Sequence, residues 1–566
     1  MLRQFWISII VALLLTSCAG VGENSSDWEG GDKKVFRYNQ ADGLSSLDPA
    51  FARNQANCWA TTQIYSGLFE LSDDLYTVPN LVDTWKISED GKVYTFNIKE
   101  GVFFHDSEVF PGGKGREVKA SDFVYSFKRI LDSKTASTGA WIFNDKVEKD
   151  ENGVPVDNWV EAPEDYKLIV RLKEPFGPFL EILTMPYTFV VPKEAVEKYG
   201  KDFRVNPVGT GPFVFKSWDE GNSLVLLKNE NYWRKDNNGK QLPYLDAILV
   251  SFISDKNQEL LTFQQKKLDF VSYSGQPSSI DLILNDDGTP SPDFAGKYVV
   301  QKEPYLNTEY IGFQLDPEKY EDKDHPILDK RFRKALNYAI NREELVSFLL
   351  NNLGVPGTAG IMPPAVAAYD AEKVIGYTYD PKKAEDLLKE AGYPGGEGLP
   401  TLKLYTTIQS KPMVEYLQKQ WEAVGIKVEI EINQVATHQE LVDNGRVNFF
   451  RGSWLGDYPD AENYLSMFYS KNKAPLGPNK THFANEQFDS LYNVARFESE
   501  GFKRFDYYLA MDNIIMEEAP VIVLFYDEVL RLTQNNVVGL TPTNPMNVLK
   551  LERVDFMQGG IVQQGN

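Results

Sequence analysis

Between Arg331 and Ile432 the chain alternates helical and strand-like periods, and this constrains the fold more than any other feature. Apolar residues at Phe332, Leu336, Ala339, Ile340 and Leu345 predict an amphipathic helix over Arg331 to Leu350. Asp380-Pro381 starts another, with cap and proline in their preferred places, and Gly392 ends it after Leu387, Leu388 and Ala391. Pro412 to Val424 reads as a helix that stops at Gly425, after which Ile426, Val428, Ile430 and Ile432 alternate as a strand. This helix-strand order implies an α/β lobe with a partly parallel sheet. Further on, Phe505 to Glu518 reads as helix and Val521 to Phe525 as a short, wholly apolar buried strand.

The preceding half is patterned differently, as short strands mixed with amphipathic helices. Tyr94, Phe96 and Ile98 alternate with polar neighbours, and Leu168 to Leu172 is another strand. Ala120 to Leu131 has helical spacing, with Ser121 placed as a cap. Residues 107–118 and 145–163 are polar and turn-rich, and read as loops. Val208-Gly209-Thr210-Gly211-Pro212 lacks the strand-loop-helix context and nearby Lys of a phosphate loop. It reads as a turn entering a hairpin between Phe213-Val214-Phe215 and Leu224 to Leu227. At 566 residues the chain exceeds what one hydrophobic core organises, so two or three domains are expected.

The first residues carry an address. Arg3 precedes an almost continuous apolar run from Phe5 to Leu15, too short for a stable membrane span but suited to a signal-peptide core. Leu15-Thr16-Ser17-Cys18 matches the bacterial lipobox, in which cleavage before the cysteine accompanies its lipidation; the alternative is an ordinary secretory signal with an incidental cysteine. Each buried CH₂ of an acyl chain contributes roughly 0.8 kcal/mol to anchoring. Residues 19–34 read as a flexible tether reaching roughly 50 Å when extended. Cys58 is the one other cysteine, so an acylated Cys18 leaves no intrachain disulfide and no cysteine metal site.

The net charge of −22 argues against a nucleic-acid partner, because phosphate binding needs clustered Lys and Arg. The four histidines, His105, His325, His438 and His482, lie far apart and form no zinc-hydrolase spacing. No Gly-x-Ser-x-Gly elbow or P-loop appears. No cofactor or metal site is expected, and enzyme chemistry has little support. The Tyr and Trp content suits both core and a ligand cleft with flat apolar walls.

Arg451-Gly452-Ser453-Trp454-Leu455-Gly456-Asp457-Tyr458-Pro459-Asp460 gathers a cation, two large aromatics and acids after a strand-like run. Such a set can read both ends of a zwitterion. It also describes a surface turn with a buried tryptophan, since Gly, Pro and Asp collect in turns for backbone reasons.

Five collinear segments carry a family resemblance. They are Gly101 to Asp106 with Lys119 to Ser126, Val208 to Phe213, Asn231-Tyr232-Trp233, Arg331 to Ile340, and Asp380 to Ala384 through Gly392-Tyr393. Together the chain resembles the family 5 solute-binding proteins of ABC importers, the dipeptide, oligopeptide and nickel group. It departs from the pattern between Asp106 and Lys119, where this chain is longer.

The resemblance implies an α/β, two-lobe periplasmic-binding-protein-like fold with an additional inserted N-terminal domain. The implied segments are 35–67, 206–275 and 526–566 for lobe I, 68–205 for the small domain, and 276–525 for lobe II. It implies a monomeric, extracytoplasmic, lipid-anchored binder that closes on an oligopeptide by hinge motion and delivers it to an ABC permease. Peptide is held as an added strand, by main-chain bonds that do not read sequence. By the same match Asp457 pairs with the ligand ammonium, Trp454 and Tyr458 line the wall, and Ser66-Gly67 form the facing strand. Arg451 meets a ligand carboxylate or a neighbouring acid. Oligosaccharide or metal chelate is the alternative ligand within the family, and a lipid-anchored secreted hydrolase the alternative outside it.

Overall fold

The computed structural model describes residues 33–274, 279–498, 501–540 and 545–557. The signal peptide 1–18 with Cys18, and all but the last two residues of the tether 19–34, lie outside the described residues.

Ten strands form the path of one mixed sheet: β1 (Val35–Asn39), β2 (Phe213–Asp219), β3 (Ser223–Lys228), β4 (Ala247–Ser251), β5 (Phe270–Tyr273), β6 (Tyr298–Phe313), β7 (Leu402–Thr407), β8 (Val428–Asn433), β9 (Phe449–Leu455) and β10 (Val521–Gln534). Their order across the sheet is β8-β7-β9-β6-β10-β5-β1-β4-β3-β2, with Val355–Pro356 pairing off this path against β10. Parallel pairs occur on both sides of the centre: β1 with β4 and β5, and β7 with β8 and β9.

The two long central strands, β6 and β10, run antiparallel through both lobes. Tyr298 to Glu303 pair with Gln534 to Val529, and Thr308 to Gly312 pair with Tyr526 to Val521, with register breaks around Pro304 to Thr308. Below the break Val271, Ile283, Phe294, Leu530 and Leu532 share one core. Above it Ile311, Phe313, Ile522 and Leu524 pack with Phe332, Leu336 and Leu404. Residues 280–300 therefore share a core with 260–273, a stretch that the resemblance gives to the first lobe. Likewise Val521 begins a strand of 14 residues, not a short one, and the boundary at 525/526 falls inside it.

The inserted segment carries a four-stranded antiparallel sheet in the order 82–87, 93–98, 167–171, 160–164, covered by the helix Ala120–Leu131. Phe96, Phe123 and Leu168 belong to the same contiguous core as Phe36 and Ile248. Val160–Glu164 takes in the end of the expected loop 145–163, where its pairing with Lys167–Arg171 makes it strand. Ser121 does not cap the helix. Lys119 is the cap residue, and its N–H donates to the Asp122 carboxylate at 2.9 Å.

The expected helix Arg331 to Leu350 is two helices, Lys330–Tyr338 and Arg342–Leu350. Asn341 interrupts it, because its side chain accepts the Glu344 N–H at 3.1 Å and so starts a new helix. The Asp380 cap is present, accepting the Lys383 N–H at 2.9 Å. The turn at Gly209 and Gly211 enters the β2–β3 hairpin as expected. A Cβ on Gly209 would sit 2.0 Å from the Ile64 carbonyl oxygen, so glycine there serves close backbone approach.

Candidate functional site

β9 delivers the site. It pairs with β6 from Phe449↔Phe313 to Leu455↔Asn307. Tyr310 lies over Gly452 and Phe450 over Gly312, each aromatic ring filling the space of the missing side chain across the ladder. The strand ends at Leu455, and Gly456 donates its N–H to the Leu306 carbonyl at 2.7 Å. That carbonyl also accepts from the Tyr464 hydroxyl at 2.6 Å. The turn is thus tied to the crossing region of β6 from two directions.

Asn463 organises the turn. Its side-chain oxygen accepts from the Trp454 indole N–H at 2.8 Å and from the Asp457 N–H at 3.1 Å. Its side-chain nitrogen donates to the Asp457 carboxylate at 3.4 Å. Among the described residues Asp457 has no ion-pair partner. Burial pushes its pKa up to about 6, and the Asn463 amide opposes that shift only in part. Its charge also raises the pKa of Cys58 in the first lobe and of Tyr187 in the inserted segment, in each case after burial. The Cys58 thiol is itself pushed up to about 12 by burial, then by Asp457, which removes thiolate reactivity at neutral pH.

The remaining predicted residues are placed differently. Arg451 pairs with Glu309 at 2.5 Å, the neighbouring-acid alternative, while its Nε has no hydrogen-bond partner. Tyr458 is buried within the first-lobe core cluster and its hydroxyl donates to Glu462, so it makes a lobe-lobe packing contact and no open wall. The Ser66 carbonyl accepts from Val190 N–H at 3.0 Å, and the Gly67 carbonyl from Leu81 N–H at 3.2 Å. A Cβ on Gly67 would lie 2.9 Å from Phe189. Ser66 lines a small, partly open pocket of about 80 Å3 together with Glu70, Arg234, Lys550 and Glu552. The structure thus joins Trp454 with Asp457, and leaves Ser66-Gly67 in the first lobe's own hydrogen-bonding.

Several residues escaped the sequence reading. Asp527 sits on β10 at the crossing and accepts from Asn307 at 2.5 Å; burial, followed by the nearby Glu309 charge, pushes its pKa up. Tyr305 lies beside it, with Asp527 and Cys58 both acting on its hydroxyl. The signal was present as Asp527-Glu528, two acids interrupting an apolar run.

Three comparisons bear on this geometry. Residues 77–475 match the model for bacterial extracellular solute-binding proteins, family 5. The chain is 27% identical over 511 residues to the glutathione-binding protein GsiB of Escherichia coli K12, covering 88% of this chain and 90% of that protein. It superposes on HbpA2 of Haemophilus parasuis with a TM-score of 0.78 at 22% identity, covering 93% and 100% of the two chains. It superposes on DppA of Helicobacter pylori, solved with the peptide STSA, with a TM-score of 0.72 at 24% identity, covering 94% and 100%.

Proposed function

Because the chain belongs to the bacterial extracellular solute-binding proteins of family 5, which are ABC-importer binding components and not enzymes, we propose that it captures oligopeptides between its lobes. Asp457 is the acceptor for the peptide ammonium in this reading, Trp454 an apolar wall beside it, and closure about β6 and β10 brings the first lobe onto the ligand. The observation that carries the reading is a carboxylate, raised in pKa by burial, whose sole hydrogen-bonding side chain among the described residues is the Asn463 amide. An ammonium leaving water needs such a charged acceptor, and without one the carboxylate stays destabilised. The peptide-binding and glutathione-binding names among its relatives support a ligand bearing an ammonium group. Oligosaccharide or metal chelate lacks that feature.

Lipid attachment at Cys18 belongs to the same proposal, and holds the binder near its permease. A thermal-shift panel tests the ligand class, comparing short peptides and glutathione with oligosaccharides and Ni²⁺ chelates. A ligand at 100 times its Kd adds roughly 2.7 kcal/mol of stability. Peptides are expected to stabilise the wild type strongly and the Asp457→Ala variant far less. A response to sugars or chelates alone would remove the peptide reading.

A further inference from the structure

The first lobe and the inserted segment form a pocket of about 770 Å3 between them. Residues 45–53 make one wall, and residues 129–138 with 196–204 make the other. Among the described residues none of 276–525 lines it, so the Asp457 turn has no part in its walls. Its charge is opposite to that of the chain as a whole. Five cations, Arg53, Arg129, Lys134, Lys201 and Arg204, line it with a single carboxylate, Asp48, in a protein whose net charge is −22.

Two of the five cations are held by acids. Arg129 donates twice to the Asp48 carboxylate, at 2.8 and 2.5 Å. This pair is buried, with side-chain exposures of 12% and 4%. Asp48 also accepts the Ala50 N–H at 3.0 Å, so the one acid of the pocket is already engaged. The Arg129 guanidinium lies 5.6 Å from the centre of the Phe203 ring, a second contact that fixes it. Arg204 pairs with Glu220 at 2.8 Å. Arg53, Lys134 and Lys201 are exposed and have no ion-pair partner among the described residues. Asp132 and Asp202, close to the two lysines in sequence, do not line the pocket. A single exposed lysine needs no partner, since water solvates it well. Like charges gathered on one concave surface are different, because they raise the local potential and concentrate anions there.

We infer that this pocket binds a phosphate monoester, with the organic part of the ligand in the remaining volume. Such a group carries about −1.5 to −2 charges at pH 7 and presents three acceptor oxygens. That matches three unpaired cations, whereas a carboxylate brings one charge and two oxygens. The Arg53 guanidinium offers two parallel donors, and the lysines act as point charges. Ser45 and Thr135 add hydroxyls to the lining. The volume falls within the range of small-molecule sites. The ester is either a free solute or a lipid headgroup. This inference stands apart from the peptide reading and shares no residue with it.

The test titrates glycerol 3-phosphate into the purified protein by calorimetry. In a second arm the Cys18→Ser protein is sedimented with phosphatidylcholine vesicles that contain or lack phosphatidic acid, so that no lipid anchor carries the chain down. The protein is expected to bind glycerol 3-phosphate, which identifies a solute, or to sediment only with phosphatidic acid present, which identifies a headgroup. Lys134→Gln combined with Lys201→Gln should weaken that binding by roughly fivefold or more, and the corresponding pair of Lys→Arg changes should retain it. Both lysines are exposed, so these variants are expected to keep the wild-type melting temperature. Arg53 is spared because its charge reaches Tyr187, as the Asp457 charge does. Binding of neither probe overturns the inference, and so does a double glutamine variant that binds as tightly as the wild type. A short peptide that displaces the phosphate competitively also overturns it, by assigning the pocket to the peptide site. A protein that binds the phosphate and no peptide removes the peptide reading and leaves this one standing.

Discussion

Arg504 and Glu181 face each other across the two lobes at 3.7 Å, while the same guanidinium nitrogen donates to Asp460 at 2.6 Å within its own lobe. The Tyr508 hydroxyl completes the Asp460 carboxylate at 2.7 Å. Close by, Gly177 of the inserted segment, which also carries Glu181, donates its N–H to the Arg496 carbonyl at 2.8 Å. Asp460 lies three residues from Asp457, so one short turn carries both the proposed ammonium acceptor and an anchor of lobe contact.

The two halves of this contact are separable. Arg504→Ala strands the buried Asp460 carboxylate and is expected to cost about 3–5 kcal/mol of stability in denaturant unfolding. Glu181→Gln removes only the link between lobes. It should speed ligand release in stopped-flow displacement with little change in unfolding midpoint; an unchanged release rate would show that the contact contributes nothing to closure.

The raised Asp457 pKa sets a pH dependence with a definite sign. A carboxyl whose folded pKa is about 6 against 3.8 unfolded binds protons more readily when folded. Its contribution to stability is present below about pH 4 and lost as pH rises through 6. Asp457→Asn should therefore match the unliganded wild type near pH 4 and exceed it at pH 7, by on the order of 1–2 kcal/mol. Thermal melts across that range read the difference, and curves that stay parallel would contradict it.

Ligand binding should reverse that shift. An ammonium beside Asp457 favours the charged form, so peptide affinity is expected to rise from pH 5 to pH 7 with release of a proton. Calorimetry in two buffers of different ionisation enthalpy measures that proton, and its absence would count against Asp457 as the acceptor.

Gly452→Ala tests the packing beneath the site. The new Cβ would lie 2.6 Å from the ring of Tyr310, which is only 3% exposed. A loss of roughly 1–3 kcal/mol is expected, with weaker ligand binding because Trp454 lies on the same strand and Asp457 in the turn that follows it. A neutral substitution would show that the ring shifts freely.

Cys18→Ser is expected to move the protein from the membrane fraction to the soluble one and to abolish incorporation of labelled fatty acid. A wild type that takes up no label would remove the anchor from the proposal.

Local chemistry made part of this molecule readable from its sequence. Asp380-Pro381 started a helix where the cap and proline said it would, and the hairpin after Gly211 followed from turn residues. Position in the sheet was not readable. The apolar run Val521 to Phe525 reads as a whole short strand, whereas the strand continues through Asp527-Glu528 to Gln534 and there passes from one core to the next. The Asn341 break was hidden because the apolar spacing continues through Ile340 and Leu345 across two helices. At the site, Asp457 and Trp454 were legible as a local constellation, and Asn463, which binds both, lies only six residues beyond Asp457. Glu309 was beyond reach: it meets Arg451 through tertiary contact, and nothing local marks the pairing.

Because β5 finds its partner in β10, Phe270 against Thr533, the first lobe's sheet lacks a neighbour until nearly the whole polypeptide has emerged. Contacts separated by so many residues close slowly, since the loop entropy is lost before the ladder rewards it. A nascent extracytoplasmic protein must stay unfolded to be exported as a thread. Here the sheet has its last strand at the centre, so closure of both flanks waits on the arrival of β10.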